Sequence, residues 1–534
     1  MAERFLEHYD LLISTLSPIH IGCGQDYDPT CYIMDGEMCY IFDPIDALQS
    51  DEDRQELLNI IEHIQNGEDV RQVQRFFHTR RDRLMPGYRR RVFTGPGIQK
   101  FYDEKIGAMG SKNRLHIERM TSLMVEDRLF VPGSSLKGAI RTALLDTLHG
   151  GKPLANPREA EEGKSWKELA PLGSTLAQAL PSDFSLDPMR LLRFSDITPL
   201  QDGESGEVCF AVNRKKNGAV GRGPYQILEC LSPMSLERLQ GSYSFLDPHQ
   251  ARAKADKLPA ESLWWGRVEL AERCNRFYRE QLHRELEQMA SVLSADWVTT
   301  VAASLAGGGL RRLLESNQAF LLRIGRHSGA EAVTLNGARR IRIKKKEGHH
   351  WMDQPTTIWL AANRDTRQEY DLMPFGWVLV EFNHPGRRPL AETAPELVAL
   401  AQQFRSRESE RLHKSDAQLR QLRQKRQQEL EQTAMLARRR AEEEEARQAR
   451  EKHLSSMSDQ VRALVLFQEK IASAIPQPVS GQLWQLAQNL VKESAGWAVE
   501  DRQSLVRVIR DVLPGKLKGV APKKIQELLD RIPA

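Results

Sequence analysis

The chain is poor in several features that would narrow its function at once. Its 534 residues include six cysteines, at 23, 31, 39, 209, 230 and 274, with no Cys-x-x-Cys pair and no Cys/His ligand spacing. That pattern argues against structural zinc and leaves reduced thiols, in a cytoplasmic setting, as the expectation. No apolar run approaches the roughly 18 residues of a membrane-spanning helix, and Met1-Ala-Glu-Arg-Phe-Leu-Glu-His does not read as a secretory leader. A one-signed charge is also missing. Seventy-six basic against 72 acidic side chains leave +4, so local clusters would have to hold any polyanion. There is no Gly-x-x-x-x-Gly-Lys-Ser/Thr phosphate loop. At about 150 residues per domain, the length predicts three or four units.

What is present centres on Val131-Pro-Gly-Ser-Ser-Leu-Lys-Gly-Ala-Ile-Arg-Thr-Ala-Leu-Leu145. Pro132-Gly133 ends an extended segment, and Ser134 or Ser135 is predicted to cap a helix with Leu136, Ile140, Ala143, Leu144 and Leu148 at helical spacing. Lys137 and Arg141, four apart, project from one face. Free N–H groups, two hydroxyls and two cations at a helix start suit a phosphate. The plain alternative is a capped core helix with two solvated cations.

Pro132-Gly-Ser-Ser-Leu-Lys-Gly-x-x-Arg141 resembles the signature of the RAMP superfamily, the RNA-binding backbone proteins of type III CRISPR effector complexes. The resemblance extends to Ser17-Pro-Ile-His-Ile-Gly-Cys-Gly24, Leu322-Arg-Ile-Gly-Arg-His-Ser-Gly329 and Pro374-Phe-Gly-Trp-Val-Leu-Val-Glu381, in the family's order. Within the superfamily the set is most similar to the fifth Csm subunits, which hold the 3′ part of the CRISPR RNA. It implies an α+β chain with two ferredoxin-like/RRM-type domains, at 1–231 (with an insertion at 17–130) and 232–390. It also implies a non-catalytic subunit whose partners are CRISPR RNA, target RNA and other type III backbone subunits, with no cofactor, metal or membrane.

Several segments are candidates for RNA contact. Gly22 and Gly24 let a backbone approach a phosphate closely. His20 is the one candidate acid or base for a rival reading, a metal-independent endoribonuclease, because some RAMP relatives cut repeat RNA that way. A structural or RNA-contacting histidine is the plainer role. Arg323, Gly325, Arg326 and His327 form a second candidate loop. In Arg339-Arg-Ile-Arg-Ile-Lys-Lys-Lys346, Ile341 and Ile343 face one side, and Arg340, Arg342 and Lys344 the other. That basic face fits a polyanion, or else a solvated edge strand. Arg80–Arg83 and Arg89–Arg91 could track an RNA backbone, and Asp196 reads as a strand-end cap before a metal or catalytic group. Cys31–Phe42 is a predicted hairpin with its turn at Asp35-Gly36. Helices are predicted near 49–65, 70–84 and 262–293.

Beyond Pro395 the chain changes character. A Gln- and Arg-rich run to about Lys452 holds no further Pro or Gly, and Leu412, Leu419, Leu422 and Leu430 make only a broken heptad. It reads as a long, charged, solvated helix over 391–457, whose run from Pro395 to Lys452 would act as a spacer of roughly 85 Å. Apolar positions return at Val461, Leu464, Phe467, Leu483, Trp484 and Leu490, giving a small helical module over 458–534. That module is expected to bind a protein partner and to add little RNA affinity. An assembly protein acting through this region is the third class of function.

Overall fold

The structure, a computed structural model, describes residues 6–48, 50–64, 70–106, 115–123, 127–153, 186–201, 206–216, 225–248, 258–345 and 348–533. It is mixed helix and sheet, as the α+β expectation required. Contacts divide it into two units, Met1–Gln424 and Lys425–Ala534.

In the larger unit β1 (Leu6–Thr15) lies between β11 (Ser235–Leu246) and β17 (Trp377–Asn383), antiparallel to both. Leu11 faces Gly241 on one side and Phe382 on the other. β7 (Leu192–Phe194) and β8 (Thr198–Pro199) extend the sheet beyond β11, and β12 (Ala319–Arg323) extends it beyond β17. From β1 the chain passes through helix Gly133–His149 to β7 and β11, then through helix Arg267–Met289 to β17. The spatial order of these four strands is β17-β1-β11-β7. Tyr278 donates its hydroxyl to the Ala139 carbonyl at 3.0 Å, tying the two helices together. The Asn275 amide donates to the Leu314 and Ala319 carbonyls and accepts from the Leu321 N–H, which pins the second helix to β12.

A second sheet runs β2 (Gly22–Tyr27), β6 (Ile117–Met120), β10 (Gln226–Leu231), β9 (Gly206–Lys215), β5 (Arg90–Thr94), β4 (Met38–Ile41), β3 (Tyr32–Asp35). β15 (Thr357–Ala362) joins β9, and β16 (Met373–Pro374) joins β15. The expected boundary at 231/232 therefore follows neither sheet. β1 pairs with β11 and β17 across it, and β9 pairs with β15 across it. The expected insertion at 17–130 supplies five strands, β2 to β6. Alternation marks a strand locally, whereas its neighbour is a non-local property, so the boundary was not readable from pattern. One core, with Leu11, Ile19, Phe210, Leu231, Phe320 and Trp377, joins both sheets. The β3–β4 turn is centred on Gly36 and Glu37, both at positive φ, one residue later than the Asp-Gly signal suggested.

Helices Asp51–Glu62, Val70–Thr79 and Arg81–Leu84 cover β3–β5 and enclose a smaller core of Tyr40, Phe42, Phe76, Phe77, Met85 and Leu419. Leu419 comes from the long helix Pro395–Ser455, which also buries Leu397, Leu400, Ala401 and Ser415. Leu412 and Leu422 pack at the edge of this core, so the broken heptad is a docking stripe on the larger unit. The helix is wholly exposed only over 427–453. The expected solvated helix is thus solvated along part of its length, because its first turns are built into the fold.

The smaller unit packs helices Asp459–Ser473, Gln482–Glu493, Val499–Arg507 and Pro522–Leu529 around Leu464, Phe467, Leu483, Leu505, Ile509 and Leu528. No helix of the described residues is long and apolar enough to cross a membrane.

Candidate nucleic-acid interface

Three turns from distant parts of the larger unit lock together backbone to backbone. The Arg326 N–H donates to the His20 carbonyl at 2.8 Å, and the Gly376 N–H to the Pro18 carbonyl at 2.9 Å. Gly325 has φ +80, and a Cβ there would fall 2.4 Å from the His20 carbonyl oxygen. Only glycine allows that approach. The His20–Gly24 loop and the Arg323–Gly329 loop, 300 residues apart, therefore form one structure.

The His20 side chain points inward. Its Nδ1 lies 2.7 Å from the Glu229 carbonyl, which can only accept, so Nδ1 carries the proton. Nε2 is buried without a hydrogen-bond partner among the described residues. Burial lowers the pKa of the ring, with the Glu229 bond opposing and the Arg326 charge adding, so it is held neutral. Its ring does not reach the surface as the RNA-contact expectation required. Gly22 and Gly24 do: they sit on exposed β2, an edge strand whose register slips between Gly22 and Asp26. A Cβ at Gly24, φ +79, would meet nothing.

From this loop a backbone ladder leads to the central helix. Thr121 N–H donates to the Ile21 carbonyl, Phe130 N–H to the Thr121 carbonyl, and Val131 exchanges bonds with Ile197. The helix starts at Gly133, so Ser134 and Ser135 lie inside its first turn and do not cap it. Asp196 takes that role, its Oδ1 accepting from the Gly133 N–H at 2.8 Å. A Cβ at Gly133 would meet the Ser195 carbonyl at 2.5 Å, so the helix start is pressed onto the β7–β8 connection. Ser134 is exposed and Ser135 half-buried. Lys137 Nζ donates to the Leu192 carbonyl at 2.9 Å, and burial pulls its pKa below the usual lysine range. Arg141 Nη1 donates to both Asp187 oxygens, at 3.1 and 2.8 Å.

The second loop divides by role. Arg323 is buried at 3% exposure, too deep to present its charge to an outside ligand. Its Nη1 donates to Glu285 Oε2 at 2.6 Å, its Nε donates to the Phe375 carbonyl, and its guanidinium lies over Trp377. Arg326 is exposed and pairs with Glu118 of β6. His327 stacks on Trp359 at 4.7 Å, with its Nε2 2.7 Å from Gln226 Oε1. The predicted basic strand is shorter than expected. Among the described residues β13 (Ile341–Lys345) pairs only with β14 (Gly348–Met352). Arg340 precedes it half-buried, and Arg342 is exposed on it. The Lys344 side chain lies outside the described ones, as do most of segment 150–188 and the tip of the basic turn after Asn213.

The arginine-rich stretch before the central motif is neutralised in place. Arg80 and Arg83 pair with Asp53, Arg89 with Asp43, Arg90 with Glu229 and Arg91 with Asp416, at 2.5 to 2.9 Å. Sequence reasoning missed Glu229. Its carboxylate accepts from Arg90 and from the Met120 N–H, while its carbonyl accepts from His20. A lone glutamate inside the apolar run Ile227-Leu-Glu-Cys-Leu231 was the available signal.

The family model of the RAMP superfamily matches residues 12–285. The chain belongs to the RAMP superfamily. The RAMP match opens inside β1 and closes on Glu285, so it contains the glycine loop and the central helix, while the Arg323–Gly329 loop lies beyond it. No curated protein matches the chain. Among solved structures, it is similar to a chain of a cryo-EM Csm–crRNA–target RNA ternary complex of a type III-A CRISPR-Cas system. There the identity is 18%, the coverage 70% of this chain and 100% of that one, and the TM-score 0.46. It is also similar to T. onnurineus Csm5, at 18% identity, covering 69% of this chain and 99% of that one, with a TM-score of 0.39.

Proposed function

We propose that the chain is a non-catalytic CRISPR RNA-binding subunit of a type III interference complex, of the Csm5 kind, holding the 3′ part of the guide. The order β17-β1-β11-β7 with two helices is read as a ferredoxin-like unit. The observation that carries the proposal is the joining of the RAMP motifs: the Gly22–Gly24 edge, exposed Arg326 and the start of the central helix are linked through continuous backbone bonds. An RNA strand along this edge would meet bare glycine backbone, and then Lys137 and Arg141. Each of these cations now rests on a single carbonyl or carboxylate partner that a phosphate can replace. Base pairing by the guide, not the protein, reads the target RNA, and other backbone subunits flank the chain. The inward-facing, neutral His20 supports a subunit without its own RNA-cleaving centre.

The test is to purify the chain with its bound RNA, then sequence and end-map that RNA. Repeat-derived guides protected towards their 3′ ends are expected, and they should stay intact on incubation with and without EDTA. A chain that binds no repeat-derived RNA at low salt overturns the RNA role. Cleavage that vanishes in His20→Ala while binding persists overturns the non-catalytic one.

A further inference from the structure

One stretch with a surplus of positive charge lies in the smaller unit. From Arg502 to Arg531 there are eight basic and three acidic side chains, a surplus of five, against +4 for all 534 residues. Two other cation-rich stretches are matched in place. The arginines of 80–91 meet carboxylates, and on the exposed part of the long helix Arg438, Arg439 and Arg447 pair with glutamates three or four residues away. In the smaller unit Arg507, Arg510, Lys518, Lys523 and Lys524 are all exposed, and none forms an ion pair among the described residues. Lys516 differs: its Nζ donates to the Ala472 and Ala474 carbonyls and holds the turn to the preceding helix.

One local feature is unfavourable unless an anion lies nearby. Lys523 and Lys524 occupy the first turn of helix Pro522–Leu529, which has no acidic residue there. The partial positive charge of a helix start makes that position unfavourable for cations. In the turn before it, Gly515-Lys-Leu-Lys-Gly519, Leu517 and Lys518 pair with Gln477 and Pro478, while the two glycines stay open: a Cβ at either would meet nothing within 4 Å, and Gly519 has φ +67. The two glycines and the exposed Lys518, Lys523 and Lys524 are thus open to a chain of phosphates. An acidic protein surface would satisfy the charge equally, but it has no need of an open glycine backbone.

We propose that the C-terminal unit is a second RNA-contacting surface, in which a single strand follows the turn Lys518–Lys524. This rests on the RNA-subunit reading above and extends it to a part of the chain outside the RAMP match. The contact is to phosphates and carries no sequence preference.

The test uses the full-length chain and a labelled single-stranded RNA of mixed sequence, titrated over a range of salt concentrations. The triple variant Lys518→Ala/Lys523→Ala/Lys524→Ala should lower the slope of log K against log salt by about 2, at ≈ 0.7 per phosphate. Affinity at low salt should fall about tenfold or more for all sequences alike, with an unchanged circular dichroism spectrum. If the unaltered chain binds RNA and the triple variant keeps its slope, the inference fails and the RNA-subunit reading stands. An unchanged slope with loss of an acidic partner protein assigns the surface to protein instead. Absence of RNA binding by the unaltered chain overturns both.

Discussion

His327 sits between Trp359 and Phe375, with φ +65 and a side-chain bond to Gln226. Burial, with Arg326 and His20 adding to it, pushes its pKa down from 6.5 to about 3. The folded protein keeps this ring neutral, whereas the unfolded chain takes up a proton below about pH 6.5. The stabilisation is therefore complete above pH 6.5 and is lost as pH falls from 6.5 towards 3. Between pH 6.5 and 5 the loss amounts to about 2 kcal/mol. Urea midpoints should drop over that interval in the native chain and drop much less in His327→Gln; parallel curves would remove His327 as the titrating group. At this scale the sequence was partly legible. His20, expected as a structural or RNA-contacting residue, has an interior ring, and Arg323 inside Ala319-Phe-Leu-Leu-Arg-Ile324 is a charge in an otherwise apolar strand. Such an arginine needs a buried carboxylate, and Glu285, 38 residues upstream, supplies it. Nothing local could have named that partner.

The central helix was legible as an element, and its apolar positions Leu136, Ile140, Ala143 and Leu144 are buried as their spacing predicted. Its start was misread, because two serines near a helix start suggest a cap, while the real cap, Asp196, arrives from 63 residues away. The cations Lys137 and Arg141 share a face as the i,i+4 rule requires, yet both are tethered to the β7 region. Replacing both by alanine should weaken binding of every RNA alike and lower the salt slope by about 1 to 2. An unchanged slope in anisotropy titrations would make them purely structural ties. The long helix shows the same limit of local reading. Its mixed charges promised solvent, and the stripe Leu412, Leu419, Leu422 found a core to cover.

For the molecule as a whole, the charged run after Pro395 is two things in sequence: a piece of the larger unit, then an exposed rod. A chain ending at Gln424 keeps Leu397, Leu400 and Leu419, together with the Tyr40–Ser415 and Arg91–Asp416 bonds. One ending at residue 394 loses them all. Each buried leucine removed costs about 2–5 kcal/mol, so the shorter chain should melt well below the longer one, or fail to fold. Equal melting temperatures by calorimetry would show that the long helix adds nothing to the core. A last consequence concerns time. β1 is made first, but its two neighbours are β11 and β17, and Thr15 pairs with Val378. At about 5–20 residues per second, a ribosome needs on the order of 20–70 s to deliver that second neighbour. Until then the strand at the centre of the finished sheet keeps at least one edge open. The nascent chain therefore offers that edge to chaperones and to mispairing until Asn383 has been made, and the sheet can close only then.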